Sequence, residues 1–280
     1  MSKIRVPIIF VLIALNCIFC KERIVTIGGC VTEIVYALDK GNSVVAVDQS
    51  STIPKKVKDL PQVGYIRSIS SEGILSMFPT KILTTTDIGP VKVIEQINES
   101  GVDFKIFDSP KSFEDILTLI SDIAIHLDVK ENGDSLNTEL TILNDKLINL
   151  KANNKSKPKI VFFMNPSASS YTAAGAGTKA NYLIEYIGGE NIFSDDFNKY
   201  SKVSKEDVIK YNPDIILVGY FDKSTSKKMN SLFESNEYFE SLTAVKNKNI
   251  FGIDIGSTLN FGPSFVHSSS DLINKIYFEK

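Results

Sequence analysis

Five leucines, Leu136, Leu140, Leu143, Leu147 and Leu150, recur at spacings of four, three, four and three residues. That rhythm lays one apolar stripe along a single long helix. On either side of it, short β-rich runs alternate with helical ones. Before it, Arg23–Ile27, Ser43–Val47, Ile82–Thr84 and Phe104–Phe107 read as strands, with helical spacing in Thr32–Leu38, Ile74–Met77, Val91–Glu99 and Phe113–Leu127. After it, Lys159–Met164, Ile215–Val218 and Ile250–Ile253 read as strands. Helices are expected over Asn181–Ile187, within Lys228–Leu242, and from Pro263 onward. Strands alternating with helices imply parallel βαβ units that bind ligands at the carboxyl ends of their strands. The expected fold class is therefore α/β: two Rossmann-like lobes with central parallel sheets, residues 21–130 and 153–280, joined by one backbone helix, 131–152. A helix of that length limits hinge motion, so a small opening between the lobes is expected.

The first twenty residues read as an export signal rather than as part of the fold. Lys3 and Arg5 precede Val6–Phe19, which is apolar apart from Asn16 and too short for a comfortable membrane span. The run ends in Cys17-Ile18-Phe19-Cys20, similar to a bacterial lipoprotein signal in which a cysteine becomes the lipidated first residue. Cys20 is preferred to Cys17, although the small residues expected before such a cysteine are missing from both. The mature protein is then exported, and periplasmic or membrane-anchored. Cys30 remains as a lone thiol, suited to a small buried position.

Composition removes several classes of function. With 31 Lys and Arg against 33 Asp and Glu, the chain has no basic excess for nucleic acid. Two histidines and three cysteines cannot build a His-rich or Cys-clustered metal centre. His126 lies on the apolar side of Phe113–Leu127 and fits a core or boundary position, and His267 has no neighbours that form a ligand set. Gly28-Gly29 follows a strand without completing G-x-G-x-x-G, and Gly175–Lys179 is not in P-loop order. Asp195-Asp196 reads as a solvated turn, because no nucleophile or base accompanies it. Ser167, Ser169 and Ser170 lack a G-x-S-x-G elbow. No enzyme is expected.

Further stretches carry a family resemblance. Arg23-Ile-Val-Thr-Ile-Gly-Gly-Cys-Val-Thr-Glu-Ile-Val-Tyr-Ala-Leu38, then Val47-Asp48 and Leu60-Pro-Gln-Val-Gly-Tyr-Ile-Arg67, resemble the haem-uptake branch of the helical-backbone substrate-binding proteins. The second half adds Ala173–Ile192, with its Gly188-Gly-Glu-Asn191 segment, and Val203–Val208. Proteins of this family deliver ligands to ATP-driven importers and are similar to cobalamin- and ferric-siderophore-binding proteins.

The resemblance implies a haem ligand captured between the lobes and passed to an importer permease by a monomer. It makes Tyr65 the axial ligand of haem iron and Arg67 its partner. A phenolate is one of the protein ligands ferric haem accepts, and nearby positive charge favours its ionised form. In an extended stretch, residues two apart share a face, so Arg67 would reach the phenolate or a propionate. Some relatives carry a histidine just before the Ala-Ala-Gly segment; here Met164-Asn-Pro-Ser-Ala-Ser-Ser-Tyr171 has none, which argues against a two-haem complex. Tyr171 or Met164 approaches the iron, or apolar contact alone covers that face; a Tyr following a strand fits packing or loop surface better. Glu72 and Glu206 are implied as docking points for permease arginines, although acids are favoured near helix N-termini in any case. The alternatives are cobalamin or a ferric siderophore on the same fold, and an adhesin or enzyme on this scaffold.

Overall fold

The computed structural model describes residues 22–152, 157–167, 170–221 and 231–278. The export segment with Cys17 and Cys20 lies outside them. In chain order, β1 (Ile24–Thr26), α1 (Gly29–Ala37), β2 (Val44–Val47), α2 (Ser71–Leu75), β3 (Lys81–Thr85), α3 (Val91–Glu99) and β4 (Asp103–Phe107) build the first sheet and its covering helices. Its strands run in the order β2-β1-β3-β4, and every pairing is parallel. The β4 edge carries exposed Asp103 and Lys105, charges that discourage pairing with another chain. Two helices then lead away, α4 (Phe113–His126) and α5 (Lys130–Ala152).

The second series comprises β5 (Lys159–Met164), β6 (Tyr171–Ala174), α6 (Lys179–Tyr186), β7 (Glu190–Asn191), β8 (Tyr200–Val203), α7 (Lys205–Tyr211) and β9 (Ile215–Tyr220), followed by α8 (Thr243–Lys246), β10 (Ile250–Asp254), α9 (Ile255–Leu259) and α10 (Ser264–Tyr277). Strand order is β10-β9-β5-β6-β8, with β7 also on β5. The expectation of a purely parallel second sheet is corrected here. β6 runs antiparallel to β5 and to β8. The return from β5 is too short to hold a crossover helix, so the chain doubles back. The helix expected within Lys228–Leu242 is also corrected. Residues 231–234 are helical, but Asn236 accepts the Tyr238 N–H at 3.1 Å and starts a separate 3-10 turn, Glu237–Phe239. The 228–230 part of that expectation lies outside the described residues.

α5 is 23 residues long and spans roughly 35 Å at about 1.5 Å per residue. Its stripe behaves as its spacing predicts: Leu140 and Leu147 are buried, and Leu136, Leu143 and Leu150 pack against the same core. That core is continuous between the two halves. It takes Ile34 and Leu38 from α1, Ile116 and Ile123 from α4, Leu183 and Ile184 from α6, and Phe265 and Ile273 from α10. Hydrogen bonds cross the same seam. The Phe113 N–H donates to Tyr182 Oη at 2.9 Å, and Tyr186 Oη donates to Asn144 Oδ1 at 2.7 Å. Smaller apolar clusters fill the outer faces of the two sheets.

Phe265 is fully buried, with Phe261 and Tyr186 ring centroids 4.6 and 4.9 Å away. Phe265→Ala is expected to cost about 3–5 kcal/mol in denaturant unfolding, the range for a large aromatic deleted from a core. Ile142→Ala, on the exposed side of α5, should change stability by less than about 0.5 kcal/mol in the same measurement.

Candidate functional site

The carboxyl ends of both sheets meet at one seam, and Asp48 organises its first-lobe side. This fully buried residue follows β2. Its Oδ1 accepts the Gly28 N–H at 2.9 Å and the Ser51 hydroxyl at 2.7 Å. Its Oδ2 accepts the Ser50 N–H at 3.0 Å and the Ser50 hydroxyl at 2.6 Å. The carboxylate therefore ties the β1–α1 turn to the β2 loop. Gly28 makes the turn at φ +104°, a conformation that favours glycine. At Gly29 a Cβ would collide with the Asn260 side chain and stand 2.9 Å from Ser50 O. The second lobe comes that close: Asn260 Nδ2 donates to Ser50 O at 3.1 Å.

The loop carrying Tyr65 is strapped to this frame on both sides. Val47 N–H donates to Pro61 O at 3.0 Å, Val63 N–H to Val47 O at 2.9 Å, and Gln49 N–H to Gly64 O at 2.8 Å. Ile66 is buried, its Cδ1 in van der Waals reach of Gly28, and its carbonyl accepts the Gly89 N–H at 2.9 Å. Fixed neighbours thus surround a Tyr65 side chain that is 45% exposed. Among the described residues its phenol oxygen has no hydrogen-bond partner. The extended stretch expected around it is corrected: Ser68 N–H donates to Tyr65 O at 2.8 Å, closing a 3-10 turn over Ile66–Ser68. Strand alternation therefore does not place Arg67 beside Tyr65, although both side chains stay exposed on this turn.

A second cation, Lys179, lies across the seam near enough to feel the charge of Arg67. Lys179 opens α6, and its Nζ lies 5.0 Å from the Phe261 ring centroid and 3.5 Å from Asn260 O. Desolvation pushes its ammonium below the ordinary lysine range; Arg67 pushes the same way, while Cys30 and Asp87 oppose. Lysine in a first helical turn also opposes the helix dipole. That misplaced charge is the signal in the sequence that would have singled out Lys179, to which sequence reasoning assigned no role. Phe221 was missed as well. It stands 71% exposed just past the carboxyl end of β9, among residues whose spacing marks only a buried strand.

The other sequence candidates disperse. Tyr171 lies within β6 rather than after a strand, and is 4% exposed against Phe163, Phe233 and Phe239. Burial raises its phenol above the ordinary value, and Asn236 Nδ2 reaches its hydroxyl at 3.4 Å. Met164 is half-buried at the end of β5. His126 Nε2 lies 3.4 Å from Asp103 Oδ2 at the outer edge of the first sheet, and His267 Nε2 lies 3.9 Å from Glu139 Oε1. Cys30 is buried, its thiol pushed up to about 11 by desolvation. Asp195 and Asp196 occupy an exposed turn, where Asp196 accepts the Tyr211 hydroxyl at 2.8 Å. Glu72 and Glu206 are exposed in the first turns of α2 and α7, capped by Ser70 and Ser204.

Comparison with known proteins places this arrangement. The structure superposes on the periplasmic heme-binding protein RhuT from Roseiflexus sp. RS-1, in apo form, with a TM-score of 0.83. The two are 29% identical, over 91% of this chain and 98% of that one. The high-affinity heme uptake system protein IsdE of Staphylococcus aureus is 27% identical over 207 residues, 72% of this chain and 69% of that protein. The vitamin B12-binding protein of Vibrio parahaemolyticus is 25% identical over 195 residues, 70% of each chain. Residues 24–255 match the family described as periplasmic binding protein. Because that match spans most of its length, the chain belongs to the periplasmic binding protein family.

Proposed function

We propose that this protein captures haem at the seam between its lobes and delivers it to an ABC importer, with the Tyr65 phenolate on the iron. The observation that carries the reading is Tyr65 itself: an exposed phenol without a hydrogen-bond partner among the described residues, on a loop pinned at five backbone bonds, beside the seam. The donor chemistry fits. Ferric iron in haem accepts a tyrosinate, the phenol loses its proton on binding, and positive charge nearby favours that loss. Arg67 supplies such charge on the same turn, and Lys179 supplies more from the opposite lobe. Support also comes from RhuT and IsdE, whose names describe haem binding and haem uptake. The buried Tyr171 is left out of the ligand set, since freeing its phenol would break the aromatic cluster around it.

Docking follows from the exposed acids. Glu72 and Glu206 stand in the first turns of helices in different lobes, placed to pair with arginines of a permease that straddles both. The protein acts outside the cytoplasm as a monomer, held to the membrane through a lipid on Cys20 or Cys17, and performs no reaction of its own. The competing reading is cobalamin, because the chain also resembles a vitamin B12-binding protein.

A hemin titration of the chain from Lys21 onward is expected to give a saturable Soret change with a high-spin ferric band, and Tyr65→Phe should abolish or shift it. Saturation unaffected by the mutation would move the iron ligand elsewhere; saturable binding of cobalamin without hemin would replace haem altogether. Because the core runs through both lobes, solution scattering profiles of free and hemin-loaded protein should nearly coincide, and a large compaction would contradict this.

Glu72→Lys and Glu206→Lys should each lower importer-dependent haem uptake while leaving the hemin titration unchanged. Uptake at the wild-type level in both would remove the docking role.

A further inference from the structure

Among the described residues, Glu33 is the one carboxylate that joins the two lobes across the core, and nothing in the haem-delivery reading uses it. It lies on α1, is 7% exposed, and meets the N-terminus of α10. The Ser264 N–H donates to Glu33 Oε1 at 2.5 Å, and Ser264 Oγ lies 2.9 Å from Glu33 Oε2. The same Oγ lies 2.9 Å from Ser257 O. The chain passes directly over the carboxyl group, where a Cβ on Gly262 would stand 2.9 Å from Glu33 Cδ.

We propose that Glu33 is a proton-dependent latch between the lobes, held in the folded protein as a neutral carboxylic acid that donates to Ser264 Oγ. Counting protons leads there. A serine hydroxyl carries one hydrogen, yet Ser264 Oγ faces two acceptors, the carboxyl oxygen and the Ser257 carbonyl. If Glu33 is ionised, one of those acceptors goes without a donor. If Glu33 is protonated, its O–H donates to Ser264 Oγ, whose own hydrogen goes to Ser257 O, and every polar atom of this contact is satisfied. No lysine, arginine or histidine forms an ion pair with Glu33 among the described residues. Burial works in the same direction, pushing the carboxyl up to about 7 against its two Ser264 hydrogen bonds.

The titratable groups on the surrounding elements face elsewhere. Cys30, one turn back on α1, is buried and its raised thiol is neutral. Lys40 faces Glu22, while Lys81 of β3 and His126 of α4 both face Asp103. Asp122 of α4 is exposed. Asp254 caps α9 through the Ser257 N–H at 3.2 Å, His267 of α10 faces Glu139, and Asp271 is exposed. The pH response of this contact therefore belongs to Glu33.

Its sign follows from linkage. A carboxyl whose folded pKa lies above its unfolded value stabilises the fold below the unfolded value and loses that contribution as pH rises through the folded one. The window runs from 4.5, the ordinary value, to about 7. The test uses the full folded chain with no ligand, so its outcome is independent of what the cleft carries. Urea unfolding midpoints of wild type and Glu33→Gln are measured at steps across and just above that window. The amide keeps both contacts, accepting the Ser264 N–H and donating to Ser264 Oγ, but it cannot titrate. Wild type should lose midpoint relative to Glu33→Gln as pH rises, and infrared spectra at the acid end should show a protonated-carboxyl band that Glu33→Gln lacks. Midpoints that run parallel at every pH, or a wild-type spectrum without that band, would overturn the proposal.

Discussion

One apolar core shared by both lobes governs this structure. α4, α5, α6 and α10 contribute to it from opposite halves of the chain, with residues such as Ile123, Leu147, Ile184 and Phe265 fully or almost fully buried. Burying a large apolar side chain is worth roughly 1.5–3 kcal/mol. A hinge motion that parted this seam would expose several at once, and would also break the Phe113–Tyr182 and Asn144–Tyr186 bonds. The packing thus opposes a wide parting of the lobes, and side chains such as Tyr65, Arg67 and Phe221 stand exposed at the rim. On the proposed reading, a ligand would meet a seam that is already ordered, and its binding would cost little in ordering.

The rim is held by a different kind of interaction. Asp48 gathers four donors from the β1–α1 turn and the β2 loop, and Ile66 packs onto Gly28 from above. Backbone bonds then fix the chain on both sides of Tyr65 while its side chain takes no part in the fold. A large side chain left free on an anchored backbone is the arrangement expected of a binding residue, because the scaffold bears the cost of positioning it.

Most of the architecture was legible because it rests on period and spacing. The leucine rhythm located the long helix to within a residue or two, and the apolar runs located all four strands of the first sheet. Legibility failed where the second sheet turns antiparallel. Tyr171–Ala174 is only four residues long, and its direction is set by the short return after β5, which leaves no trace in hydrophobic pattern. The same limit applied at Tyr65: the 3-10 turn that separates it from Arg67 closes through the local Ser68–Tyr65 bond, and the loop carrying it is held by bonds to Val47, Gln49 and Gly89, distant in the chain. Lys179 and Glu33 were missed for a related reason. Glu33 is an ordinary acid on its helix, and although Lys179 sits against its helix dipole, the meaning of both comes from the opposite lobe.

Lys179 shows how that cross-lobe placement bears on ligand capture. Its ammonium is desolvated, sits at the unfavourable end of a helix dipole, and is repelled by Arg67. Asp87 offsets this by its charge at a distance; no carboxylate lies within ion-pair reach among the described residues. Arg67 and Lys179 thus bring positive charge to the seam from both lobes, Arg67 acting on Lys179 more weakly than Asp87 does. On the reading proposed above, an anionic porphyrin would relieve the repulsion between Arg67 and Lys179 while its iron takes Tyr65. Cobalamin presents amide side chains and a single phosphodiester in place of two carboxylates. On that reading, the two cations of the seam suit a dicarboxylate porphyrin.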